Sequence, residues 1–219
     1  EQEVVAWHRH IIGGSFGTGN AVVESVAVIP TENSEYELFV IVKRTINGAT
    51  TRYVEFLNTF DFTQADNTTF NFLDSQLGLT QSKTTLTAGI NTTATTVPVA
   101  SVAGFVSAGK IKIGGEIIAY TGITNLNLTG CTRGSDSSTA KAHISGSITK
   151  QVVNGISSLS HLVGQTVSIL ADGATHPTKV VAANGTIALD RFATDVKVGL
   201  SYTSILKTMR IDAGSQDGT

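Results

Sequence analysis

Short apolar runs alternate with polar positions along most of the chain, and Gly, Asn and Asp separate them. Val22-Val23-Glu24-Ser25-Val26-Ala27-Val28-Ile29 is followed by Leu38-Phe39-Val40-Ile41-Val42-Lys43-Arg44, then Asn47-Gly48, then Thr51-Arg52-Tyr53-Val54-Glu55-Phe56-Leu57. A period of two, bounded by turn residues, predicts antiparallel β-strands. Strands are expected over 4–12, 21–29, 37–45 and 50–57, which makes residues 1–58 one four-stranded antiparallel meander, as in a propeller blade or part of a sandwich. Asn47-Gly48 carries the strongest hairpin signal, because both residues tolerate the positive φ of a primed turn.

The alternation fades over 59–82, where Asn, Asp and Thr crowd around several Phe; this predicts a crossing segment with a few buried Phe anchors. Residues 83–149 change character. Their only charged positions are Lys83, Lys110, Lys112, Glu116, Arg133, Asp136 and Lys141, amid Thr, Ala, Ser and Gly. They read as an inserted small β module, with strands over 95–99, 110–113 and 116–121 and a two-residue turn at Gly114-Gly115. Strands return over 165–171, 178–182, 186–189 and 196–200, punctuated by Asp172-Gly173 and Asn184-Gly185. Residues 59–82 and 150–219 are thus expected to form one discontinuous small β barrel or sandwich. The fold class is all-β, and a turn of helix is expected only around 157–163.

Composition supports this. Hydrophobic residues make up 41% of the 219 and charged residues 15%, enough to bury a core and too little charge for a disordered chain. The net charge of −2 comes without a basic stripe, which argues against a grip on nucleic acid through phosphate contacts. Cys131 is the single cysteine, so neither an intramolecular disulfide nor a Cys-based zinc site is possible. Four glycosylation sequons, at Asn67, Asn91, Asn127 and Asn184, are the chance product of a Thr-rich chain. No apolar stretch is long enough to span a bilayer as a helix. The chain begins with Glu and ends in a loop-like Gly-Ser-Gln-Asp-Gly-Thr, as a piece of a longer protein would.

Candidate chemistry is thin. His8 and His10 lie two apart on a strand and share a face, but no neighbouring cluster completes a metal site, and His143, His161 and His176 are distant in sequence. Edge or interface histidines beside Trp7 are the expected reading. The loop 13–19 has neither dinucleotide-binding nor P-loop spacing, and a strand follows it, so it reads as a flexible turn. Asp61, Asp66, Asn67, Asn71 and Asp74 lack the spacing of a calcium loop and read as turn chemistry, as do Asp212 and Asp217. Arg133 beside Cys131 would favour a thiolate, yet a buried apolar cysteine is the commoner case. No Gly-x-Ser-x-Gly elbow occurs. No catalytic, cofactor-binding or metal residue is assigned, and no enzyme activity is expected.

Several blocks carry a resemblance. Ala6-Trp7-His8-Arg9-His10 with Gly13-Gly14, Val23 to Pro30, Glu37 to Gly48 and Arg52-Tyr53-Val54-Glu55 resemble a recurring segment of phage tail nozzle proteins, of the tail tubular protein B kind. Phe72-Leu73-Asp74-Ser75, His161 to Ala174, His176-Pro177, Ile187 to Asp190 and Val198 to Ser204 resemble a second segment of the same family, interrupted here by 83–149. Within that insert, Thr95 to Val99, Ile113-Gly114-Gly115-Glu116, Tyr120-Thr121-Gly122 and Gly130-Cys131-Thr132-Arg133-Gly134 are similar to a small β module of phage structural proteins, named for the FCCH domain of ubiquitin-activating enzymes. The label implies no ubiquitin chemistry.

The resemblance implies a virion structural protein in a tail nozzle or hub. It would form a ring of its own copies around the DNA channel, contact other tail proteins, and touch DNA only passively. Its location would be the virion tail, and the host cytoplasm during assembly. Edge strands and exposed aromatics such as Trp7 and Tyr202 are the expected interface contributors. The alternative expectation is a host-surface binding module built on 83–149, recognising a glycan or protein. Only Phe105 and Tyr120 are available there for sugar stacking.

Overall fold

The structure, a computed structural model, describes residues 8–30, 36–58 and 72–206. The fold is all-β. Its strands are β1 His8–Ile11, β2 Ser15–Phe16, β3 Gly19–Asn20, β4 Val22–Pro30, β5 Tyr36–Ile46, β6 Ala49–Leu57, β7 Asp74–Thr80, β8 Lys83–Thr85, β9 Thr96–Pro98 and β10 Gly109–Ile113. They continue with β11 Glu116–Tyr120, β12 Gly122–Thr124, β13 Asn127–Thr129, β14 Ile148–Ile156, β15 Thr166–Ala171, β16 Ala174–Val180, β17 Ile187–Ala193, β18 Asp195–Leu200 and β19 Thr203–Leu206. Among the described residues one 3-10 turn, Ser160–Leu162, lies where a turn of helix is expected. The described residues form two compact units, one from 8–30, 36–58, 72–75 and 200–206, the other from 76–199.

In the first unit β4, β5 and β6 form a three-stranded antiparallel sheet in that order. Asn47 and Gly48 both have positive φ, 48° and 76°, and Ile46 sits opposite Ala49, so the hairpin closes at the predicted pair. The meander has three strands rather than four. The run predicted as the first strand pairs instead with β19, His8 opposite Leu206 and Ile11 opposite Thr203. Between β1 and β4 the chain makes Gly13-Gly14 and the short β2–β3 hairpin, which break the continuity a meander needs. Gly13 is not a flexible turn residue: a Cβ there would lie 2.6 Å from the Ser201 carbonyl oxygen and 2.9 Å from Leu200 Cβ. Only glycine permits so close an approach of two backbones.

In the second unit β11, β10, β14 and β17 form one sheet, with β8 also paired to β14. The nine-residue β14 escaped the periodicity reading. Its first half pairs with β8 and β10, its second half with β17 across a register shift between Val153 and Gly155. The predicted boundary at 149/150 falls inside this strand. Apolar side chains of 83–149, among them Leu86, Val97, Ile111, Ile118, Leu128 and Cys131, pack as one buried cluster. A second sheet runs β16-β15-β18-β7. Its strands bury alternate positions, Val167, Ile169 and Ala171 on β15 and Val196 and Val198 on β18. Pro177 lies in β16, an edge strand, at a register shift in its pairing with β15, a place where the missing N–H is tolerated.

The second part of the 59–82 crossing segment is ordered as β7, and Phe72 is exposed rather than a buried anchor. The part of that segment holding Asp61, Asp66, Asn67 and Asn71 lies outside the described residues, as do Asp212 and Asp217.

Candidate functional site

Two polar hubs and one apolar surface are the chemically distinctive features. The first hub is built on Glu116, at the start of β11 and fully buried. A carboxylate in that position needs partners for every lone pair, and five hydrogen bonds reach it. Arg133 donates from Nε to Oε1 at 2.9 Å and from Nη2 to Oε2 at 2.8 Å. The amides of Gly134 and Lys141 donate at 3.0 and 3.1 Å. His143 Nε2 lies 2.7 Å from Oε2. Arg133 also donates to the carbonyls of Asn91 and Lys141. Burial alone would raise the Glu116 carboxyl, but the hydrogen bonds from Arg133, the Lys141 amide, His143 and the Gly134 amide outweigh it and hold it at about 2 against an ordinary 4.5. Glu116 therefore ties two loop segments, Arg133–Gly134 and Lys141–His143, to one strand and has no oxygen left for a substrate.

The neighbouring Cys131 is buried, and its thiol donates to the Leu128 carbonyl at 3.3 Å. Burial pushes the thiol up, and Arg133, held on Glu116, offsets this only in part. The apolar reading of this cysteine fits its place in the core cluster.

The second hub lies in the first unit. Asp74 accepts the Gly13 amide at 2.7 Å and faces His10 Nε2 at 3.0 Å. His10 stacks on Tyr202 with ring centroids 4.1 Å apart. The fully buried Arg44 donates from Nε to the Gly13 carbonyl at 2.8 Å and grips Glu55 with both terminal nitrogens. Asp74 is thus a structural anchor rather than incidental turn chemistry, and Tyr202 is committed to His10 rather than presented as an exposed interface aromatic. Trp7 lies outside the described residues. The histidines do not converge. His10 sits on Asp74 and His143 on Glu116, while His176 Nε2 accepts the Asp190 amide at 2.9 Å. Among the described residues no group of three or more His, Cys, Asp or Glu is arranged to hold a metal.

The apolar surface is the β4–β5–β6 sheet. Cross-strand partners share a face, so the register sorts its side chains. One face carries Ile29, Ile41, Val54 and Phe56, with Phe39 packed on Phe56 at 6.0 Å. Toward the turn this face ends in charge: Glu24 lies 2.6 Å from both Lys43 and Arg52, whose hydrogen bonds pull it down to about 2. The other face carries Val26, Val28, Tyr36 and Leu57. Its turn end is covered, with Val42, Arg44 and Ile46 buried. The far ends of both faces are open: Val54 is 71% exposed and Phe56 58% on one, Val28 59% and Leu57 63% on the other. Every residue of β4 is exposed. Scattered exposed apolar residues are ordinary; two contiguous patches back to back on one sheet are not.

The chain matches no protein-family model, and no curated protein matches it. No helix of the described residues is long and apolar enough to cross a membrane.

Neither periodicity nor motif spacing marks the Glu116 hub. Its signal was present: a Glu and an Arg in a stretch almost devoid of charge are the natural pair.

Proposed function

We propose that this chain is a virion structural protein, part of a phage tail nozzle or tail hub that assembles as a ring of copies around the DNA channel, and that it performs no catalysis. The observation that carries this reading is the β4–β5–β6 sheet, whose far end is apolar and open on both faces. A sheet of that kind belongs between neighbours, in the interior of an assembly. The sequence resemblances described above supply the particular assembly. The polar hubs suit a rigid part. Their charged groups are consumed in holding loops and strands together, and none is presented to a ligand. The net charge of −2 without a basic stripe suits a lumen through which DNA passes without sticking.

The alternative is a host-surface binding module on 83–149 that recognises a glycan or a protein; its glycan arm loses its sugar-stacking candidates. Tyr120 is buried with its hydroxyl donating to the Val106 carbonyl at 2.8 Å, and Phe105 packs on the core cluster.

The test is labelling of intact particles of the source phage with an antibody against this chain, viewed by electron microscopy. Label at the tail is expected. Particles free of label at every site would overturn the proposal.

A further inference from the structure

We propose that the β4–β5–β6 sheet is the self-assembly surface of this protein, and that it stacks front to back: the Val54/Phe56 face of one copy against the Val28/Leu57 face of the next. The inference names the self-contact that a ring of copies requires, and in that sense rests on the function proposed above.

Three observations carry it. The first is area. Side chains of these sizes and exposures leave roughly 400–500 Å² of apolar surface on each face. A standard protein–protein contact buries about 800 Å² per partner, a little over half of it non-polar, or about 450 Å². Each face therefore holds about the apolar area that one stable contact consumes.

The second is the presence of two such faces. A two-fold contact pairs a patch with itself, and would leave the opposite face of this sheet open to water. A front-to-back contact covers both faces with a single repeated interface. The third is chemistry. The far end of each face is built mostly from branched aliphatic and aromatic side chains on consecutive strands, with Glu37, opposite Ile29, at the margin of the Val54/Phe56 face, a composition close to that of the inner faces of sheets packed about 10 Å apart. The charged Glu24–Lys43–Arg52 group lies toward the turn on one face, where it would border the contact rather than enter it. A repeated contact of this type closes into a ring when the rotation between copies permits, and otherwise runs on.

The experiment is sedimentation velocity on the full chain and on three variants. Val54→Lys places a charge on one face, Val28→Lys on the other. Ile144→Lys alters an exposed apolar residue outside the sheet, 79% exposed, as a control. All three positions are exposed, and circular dichroism checks that each variant keeps the wild-type fold. The wild type and Ile144→Lys are expected to assemble with rising concentration. Val54→Lys and Val28→Lys are each expected to remain monomeric. An equimolar mixture of those two is expected to form one-to-one dimers and nothing larger, since each supplies the intact face the other lacks.

A wild type that stays monomeric up to about 1 mM, assembly by either sheet variant alone, or a mixture that stays monomeric would overturn the stacking. These failures are separate from failure of the virion reading. A monomeric chain that still labels phage tails keeps its tail role and loses the stacking; an assembling chain absent from particles does the reverse.

Discussion

Replacing Glu116 by Gln tests the central claim about the second unit. The substitution keeps the shape of the side chain and exchanges one acceptor oxygen for a donor group. The Arg133 side chain, 6% exposed, would then lie buried without a counter-charge. Two backbone amides and His143 would compete for one remaining oxygen. Breaking a buried ion pair from one side costs about 3–5 kcal/mol. A second estimate comes from titration. The folded carboxyl titrates at about 2 and an unfolded one near 4.5. That gap corresponds to about 3 kcal/mol of stability, in line with the first figure. Because the folded value is the lower one, this contribution is fully present above pH 4.5 and disappears as the pH falls through about 2.

Glu116→Gln should therefore lower the melting temperature of the second unit by roughly 10 °C at neutral pH. Its deficit should shrink between pH 4.5 and 2, where the wild type loses what the variant already lacks. Other carboxylates, Glu24 among them, titrate in both proteins, so the difference between the two curves isolates Glu116. Scanning calorimetry across that pH range supplies the measurement. A variant within about 1 kcal/mol of the wild type at neutral pH, or parallel pH curves for the two proteins, would refute the hub as a stabilising device.

Gly13→Ala should destabilise the first unit by about 1–3 kcal/mol, because its Cβ would collide with the Ser201 carbonyl and Leu200; denaturant melts followed by tyrosine fluorescence report it. Asp74→Ala should cost about 1–3 kcal/mol and speed hydrogen exchange of the Gly13 amide, which loses its acceptor; an unchanged exchange rate there would count against the anchor. Arg44→Lys cannot reproduce the fork on Glu55 together with the bond to the Gly13 carbonyl, and should cost several kcal/mol despite keeping the charge, as read by thermal melts. Cys131 should resist alkylation in the native protein and react in denaturant, since its thiol is buried and its titration pushed up by that burial; rapid native labelling, read by mass spectrometry, would contradict the packing.

What the sequence determined by itself was local. Turn residues with positive φ at Asn47-Gly48 and Asp172-Gly173 mark where strands reverse, because backbone sterics act over two residues. The two-residue period marks β5, β6, β15 and β18 as strands, because pleating acts over the same range. The lone Cys131 is buried, the commoner case for a free cysteine, despite Arg133 beside it in sequence. Only the tertiary structure decided which strands meet. Periodicity identifies β1 as a strand but does not distinguish β4, its neighbour in sequence, from β19 at the far end of the described chain. The same holds for the nine residues of β14, whose two halves satisfy different partners. Glu116, Arg133 and His143 converge because two loops return to the start of one strand, and Asp74 reaches Gly13 across 61 positions. Such contacts depend on loop closure and on burial of the whole core, and those terms belong to the folded chain rather than to any short stretch of it.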